Sequence, residues 1–217
     1  MELRASRPSP NAVAEILRLE ALLWQLGFSR VAGVDEAGLG PLAGPVVAAA
    51  VVFPQGFDGL AVADSKQLSA RRREQLEPAI LASSQCWAIG RVEVEELDVM
   101  GVRAAGLEAM RRAVVGLDEV PDYLLVDARK VPGVGMPQSG WIKGDSFIHG
   151  VAAASILAKV YRDRLMTELG AQFPEYGFER HMGYGTAAHL AALNRYGPCA
   201  AHRRSFAPVQ RCLGVGY

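Results

Sequence analysis

The chain has 217 residues and a mass of 23.3 kDa, and 50% of its residues are hydrophobic against 21% charged. That is enough for one domain with a substantial core, and it excludes a disordered chain. Lys and Arg number 23, as do Asp and Glu, so a polyanionic partner must be argued from where the charges lie and not from their sum. The three cysteines, Cys86, Cys199 and Cys212, fit no zinc or redox spacing, and they predict reduced thiols in a cytoplasmic protein.

In chain order, residues 11–27 space apolar side chains at helical intervals, with Asn11 placed to cap and Gly27 to stop the helix. Before them there is no continuous apolar h-region, so no secretory signal is expected. RVAGV (30–34) then reads as a strand, followed by a Gly/Pro loop and a second strand in PVVAAAVVFP (45–54). No charge falls between Glu36 and Asp58, but glycines and prolines divide that stretch, and its apolar run, Val46 to Phe53, suits a buried strand and is too short to span a bilayer. Residues 69–85 predict a helix capped by Ser69, with a kink expected at Pro78, and CWAIGRVEV predicts a third strand. Residues 95–116 read as one helix, Tyr123 to Val126 as a strand ending on Asp127, and 144–169 as the strongest helix, opened by Asp145 as N-cap. Three strands before the first strand-helix-strand alternation predict an α/β fold with a mixed sheet and helices on both faces.

Four carboxylates stand where burial makes charge costly: Asp35 and Glu36 after RVAGV, Asp127 after YLLV, and Asp145 after IKG. Singly, each has an ordinary explanation as a turn, strand-end or cap residue. Together they suggest a cluster, because adjacent strands would bring Asp35 and Asp127 side by side, and carboxylates so placed repel unless a cation lies among them. For Asp35 and Glu36 both to reach one site the chain must turn there, which Gly38 and Gly40 would permit. An all-oxygen set selects hard cations, Mg²⁺ or Mn²⁺, and a pair of them serves phosphoryl transfer. From Arg180 to Tyr217 the chain has five arginines and three histidines, no acid, and interleaved aromatics, which predicts contact with phosphates. His149 reads as a packed or capping histidine, and the arginines at 71–73 as a solvated helix turn.

GVDEAGLGPLAGPVVAAAVV (33–52) closely resembles the signature of the ribonuclease HII family, the bacterial type 2 ribonucleases H. The resemblance continues through DSKQLS, LLVDAR, KGDSF, AAASILAKVYRD, FPEYGFERHMGYGT and HRRSFAPV, covering about residues 30–210. It implies the ribonuclease H-like α/β fold in a single domain over 1–217, with an N-terminal helix in 1–28 and a helical substrate-binding extension over about 165–217. It also implies a monomer acting on RNA/DNA hybrid or on ribonucleotides embedded in duplex DNA, cutting on their 5′ side to leave 3′-hydroxyl and 5′-phosphate ends. The family's metal-binding acids fall on Asp35, Glu36, Asp127 and Asp145, its loop that reads the ribose 2′-hydroxyl on Gly38, Leu39 and Gly40, its junction tyrosine on Tyr184, and a phosphate-side lysine on Lys66. Leu39 stands where the family usually has arginine, Met182 where it has lysine, and Gly101 and Gly106 where it has Asn and Thr. A DNA nuclease or recombinase on the same fold, and a non-catalytic hybrid-binding module, are the competing readings. The intact acids weigh against the second, and GLG with GYGT against the first.

Overall fold

The computed structural model describes residues 18–60, 62 and 68–214. Strands β1 (Val31–Ala37), β2 (Val46–Val52) and β3 (Cys86–Val92) form an antiparallel run, and β4 (Tyr123–Asp127) lies parallel to β1 on its other side. A fifth strand, β5 (Gln138–Trp141), extends the parallel half, giving the order β3-β2-β1-β4-β5. The sheet is mixed, as the element order predicts. Among the described residues β5 is the one strand without a sequence signal: QSGW has four residues, none of them buried, and its place is set by pairing with β4.

Every residue of β2 is buried, which explains its unbroken apolar run. Val46, Ala48, Ala50 and Val52 face one core and Val47, Ala49 and Val51 the other, following the two-residue period of a strand. The first core is closed by α4 (Val102–Val115) through Ala105, Ala109 and Ala113. The second is closed by α5 (His149–Gln172), which adds Ala153, Ala154 and Ile156.

The helices preceding these are α1 (Arg18–Gln25), α2 (Ala70–Ser83) and α3 (Val94–Met100). The part of the predicted first helix before residue 18, with its Asn11 cap, lies outside the described residues. Ser69 caps α2, its hydroxyl accepting from the Arg72 amide at 3.3 Å, and the helix runs through Pro78 to Ser83. The single helix expected over 95–116 is two, α3 and α4, broken at Gly101, whose φ of 82° lies outside the helical region. Asp145 is not the N-cap of α5. It sits in a 3₁₀ turn, Gly144–Ser146, and Ile148 takes the cap position; the Asp signal marked a real boundary but the wrong helical turn. Beyond α5 come three short helices, α6 (Phe178–His181), α7 (Ala187–Tyr196) and α8 (Ala207–Cys212). Among the described residues no helix is long and apolar enough to cross a membrane.

Helix α1 seats a buried acid against the start of α5: Glu20 Oε1 accepts from the Gly150 amide at 2.7 Å. Burial pushes the Glu20 carboxyl up to about 7, although the Gly150 amide opposes the shift. In the unfolded chain it ionises near the ordinary value of 4.5. The native state therefore holds the extra proton between these values, and stability is lost as pH rises from about 4.5 to about 7 and is level above. Glu20→Gln keeps an acceptor for Gly150 and removes the titration. Unfolding measured from pH 4 to 8 should give a mutant more stable than wild type at pH 8 by about 3 kcal/mol, with the difference gone at pH 4. A constant difference across that range would show that Glu20 titrates normally.

Candidate active site

The parallel pairing of β1 and β4 matches Val34 with Val126, so Asp35 and Asp127 follow on adjacent strands at the same end of the sheet. Asp35 is buried, its Oδ1 accepts from the Glu36 amide at 2.7 Å, and the Ser155 hydroxyl on α5 also bonds to its carboxyl. The Asp35 carboxyl is held well above the ordinary carboxylate range, first by burial and then by the charges of Glu36 and Asp127. The register of β1 and β4 is what sets Asp127 beside Asp35, as the pairing of their strands predicts.

The turn expected between Asp35 and Glu36 is absent. β1 continues to Ala37 and bends only after it, at Gly38 with φ of 97°. Glu36 instead reaches its neighbours by lying at the strand's end, where it borders two cavities. One, of about 190 Å³, also touches Asp127, Leu39, Gly106, Arg103 and Arg129. The other, of about 270 Å³, touches Gly38, Ser155, Lys159, Arg162 and Tyr184. Asp127 Oδ1 accepts from the Gly144 amide at 2.8 Å, which fixes the turn carrying Asp145 beside β4. Asp145 is fully buried. Among the described residues no three acidic, histidine or cysteine side chains are gathered closely enough to hold a metal ion in the conformation seen.

Gly40 comes next to Tyr184: a Cβ there would lie 3.7 Å from Tyr184 Cε1, so the glycine loop and the GYGT segment form one surface. Both Leu39 and Tyr184 are exposed. Leu39 is turned toward Gly106 on α4, where a Cβ would come within 2.9 Å of Leu39 Cδ2. Two positions departing from the family pattern are thus complementary in shape, a leucine lying over a glycine. Lys66 lies outside the described residues.

The basic C-terminal segment does not present all its charges to solvent. Arg203 is buried with His189 and His202. His189 Nδ1 donates to the Tyr184 carbonyl at 2.9 Å and its Nε2 meets His202 Nε2 at 3.0 Å, while His202 Nδ1 accepts from the Cys199 amide. This chain needs both rings neutral, and burial lowers both, with His202 at about 4. The histidines therefore hold the Tyr184 loop in place and are not phosphate contacts. Arg180 pairs with Glu179 at 3.2 Å, and Arg195 lies over the Tyr196 ring. Only Arg204 and Arg211 of the five arginines remain exposed without such partners among the described residues. His149, too, is a packed residue, accepting from the Leu60 amide at 2.9 Å and lying edge-on to Phe53. Of the arginines at 71–73, Arg71 and Arg72 are exposed, whereas Arg73 turns inward to the Leu68 carbonyl and Asp163.

Sequence reasoning missed Ser155, Arg162 and the inward role of Arg203. A serine inside the apolar AAASILA run was a signal, since a polar group on a buried helix face needs a partner. Nothing local in the sequence distinguishes a buried arginine from a solvated one.

A mixed five-stranded sheet with helices on both faces and acids at the ends of β1 and β4 defines an α/β enzyme of ribonuclease H-like architecture. The ribonuclease H2 of Pyrococcus horikoshii has this fold, with a TM-score of 0.70 and 27% identity over 84% of this chain and 96% of that one. Residues 32–209 match the model of the family described as Ribonuclease HII. The Ribonuclease HII of Myxococcus xanthus is 53% identical over 97% of this chain and 72% of its own length, and that of Geobacillus thermodenitrificans is 50% identical over 93% and 77%. The chain belongs to the ribonuclease HII family and is a ribonuclease H enzyme.

Proposed function

We propose that this ribonuclease H cuts the RNA strand of RNA/DNA hybrids and, in duplex DNA, cuts on the 5′ side of an embedded ribonucleotide, leaving 3′-hydroxyl and 5′-phosphate ends. The observation that carries the reading is the group of mutually repelling carboxylates around Asp35, placed beside an exposed glycine loop. Its donors are all oxygen, the set that suits Mg²⁺ or Mn²⁺; burial first and then the charges of Glu36 and Asp127 raise Asp35, and a divalent cation relieves the repulsion among them. Asp35, Glu36, Asp127 and Asp145 would hold the ions. The chemistry such ions supply when bound is activation of a water and stabilisation of the leaving 3′ oxygen.

The protein's own groups do the rest. The Ser155 hydroxyl and the Glu36 amide orient the Asp35 carboxyl, and the Gly144 amide orients Asp127. Gly38, Leu39 and Gly40 offer main chain to the ribose 2′-hydroxyl, the group that separates RNA from DNA at the cut. Lys66 and the C-terminal helical extension add backbone contacts. The test is incubation with Mg²⁺ or Mn²⁺ of a duplex carrying one ribonucleotide, beside an all-DNA control. A single cut 5′ of the ribonucleotide and an intact control are expected, whereas cleavage of both would point to a DNA nuclease.

Tyr184 stands against Gly40, where a ring can pack on the sugar that follows the ribonucleotide. That contact matters most where RNA gives way to DNA. Tyr184→Ala should therefore slow cutting at an isolated ribonucleotide by about tenfold more than on a continuous hybrid. Equal losses on the two substrates would remove Tyr184 from this role.

A further inference from the structure

Arg203 is fully buried, and among the described residues its guanidinium donates only to main-chain carbonyls: Nη2 to Gly38 at 2.7 Å and Pro45 at 3.2 Å, Nη1 to Leu39 at 3.1 Å, and Nε to Gly44 at 2.9 Å. Its own amide donates to Leu42 at 2.9 Å, so residue 203 is anchored to the loop it serves. No carboxylate forms an ion pair with it among the described residues. A buried cation solvated by four carbonyls is a costly arrangement, and it requires the fork of an arginine, since an ammonium is a single point with three donors.

The peptide geometry turns this anchor into a device. Among the described residues every peptide is trans, and in a trans peptide the C=O and the following N–H point in opposite directions. The Gly38 and Leu39 carbonyls both turn inward to one guanidinium, so the N–H groups of Leu39 and Gly40 turn outward. Both residues are exposed, and no acceptor for either N–H is found among the described residues. Two successive outward N–H groups backed by a buried positive charge make a concavity for an electron-rich oxygen.

We propose that Arg203 is the positioning residue that aims the Leu39 and Gly40 amides at the ribose oxygen of the substrate, so that discrimination between ribose and deoxyribose depends on a side chain that never touches the substrate. This rests on the reading above that the loop senses the 2′-hydroxyl. Arg162 supplies the comparison. It is equally buried and also donates to carbonyls, those of Pro45, Ala43 and Met182, but to neither Gly38 nor Leu39.

The experiment is a cycle of protein and substrate changes. Affinity is measured, with divalent cations chelated so that nothing is cut, for a duplex with one ribonucleotide and for its all-DNA counterpart. Wild-type protein, Arg203→Lys and Arg162→Lys are compared, with thermal melting to establish folding. Wild type is expected to favour the ribonucleotide duplex. Arg203→Lys should shrink that preference by about tenfold, the size of a lost charge-assisted hydrogen bond, whereas Arg162→Lys, at a residue that packs on Gly38 but leaves the Gly38 and Leu39 carbonyls held by Arg203, should shrink it clearly less. A folded Arg203→Lys protein with the wild-type preference overturns the positioning role, as does an equal loss in both variants. No preference in wild type overturns instead the reading of the loop as the 2′-hydroxyl sensor. If the lysine variant does not fold, Gly40→Pro decides, because it deletes one outward N–H and leaves Arg203 in place. Wild-type preference in that variant overturns the proposal.

Discussion

Asp127→Asn should reduce the single-turnover cleavage rate by at least about a hundredfold while leaving the protein folded, because loss of one catalytic group typically has an effect of that size. Asparagine retains an oxygen at the position that accepts the Gly144 amide, so the turn carrying Asp145 keeps its anchor. What is lost is one negative charge beside Asp35, whose carboxyl is raised in part by Asp127. Without metal, that loss relieves repulsion, and the melting temperature should stay level or rise. A mutant retaining more than about a tenth of the wild-type rate would remove Asp127 from the metal-binding set. A melting temperature several degrees lower in chelator would instead make its role structural.

How much of this was legible in the sequence depends on whether a feature is local. The strand in VVAAAVV, the Ser69 cap and the two-sided helix packing follow from composition and period. The neighbouring placement of Asp35 and Asp127 needed only the inference that their strands pair. Glu36 was harder: the expected turn assumed that both acids had to project from the same stretch of strand. In the structure the sheet simply ends, and a side chain at the end reaches cavities on both faces. The basic C-terminal segment misled for a different reason. Charge count implied solvent and phosphate, but Arg203 and the His189–His202 pair spend their polar atoms on the carbonyls and amides of the substrate loops. Leu39 and Gly38, the loop partners of Arg203, lie 164 and 165 residues away from it in sequence, beyond any local pattern.

Gly33 is a clear case of a residue whose meaning only the fold discloses, and its replacement should have a large effect on stability. In RVAGV it reads as a strand residue of weak propensity. In the structure it lies beneath the first turn of α5, where a Cβ would overlap the Gly150 carbonyl and the Val151 amide. The atoms in the way are main chain, so no rotamer change can make room; Gly150 faces Gly33 in turn, and a Cβ there would lie 3.2 Å from the Gly33 Cα. Gly33→Ala must push α5 off the sheet, and a shift of that helix disturbs the buried contacts of Ala153, Ala154 and Ile156 with Val47, Ala49 and Val51. Overpacking of this kind costs about 3 kcal/mol or more, a large share of a domain's stability. The same helix carries Ser155, which holds Asp35, and begins just after the turn of Asp145. Activity should therefore fall even in the fraction that remains folded. Urea unfolding and a cleavage assay corrected for that fraction separate the two effects. A loss below about 1 kcal/mol would mean that α5 can tilt away from β1 without cost, and the close approach at Gly33 would then not be what sets its position.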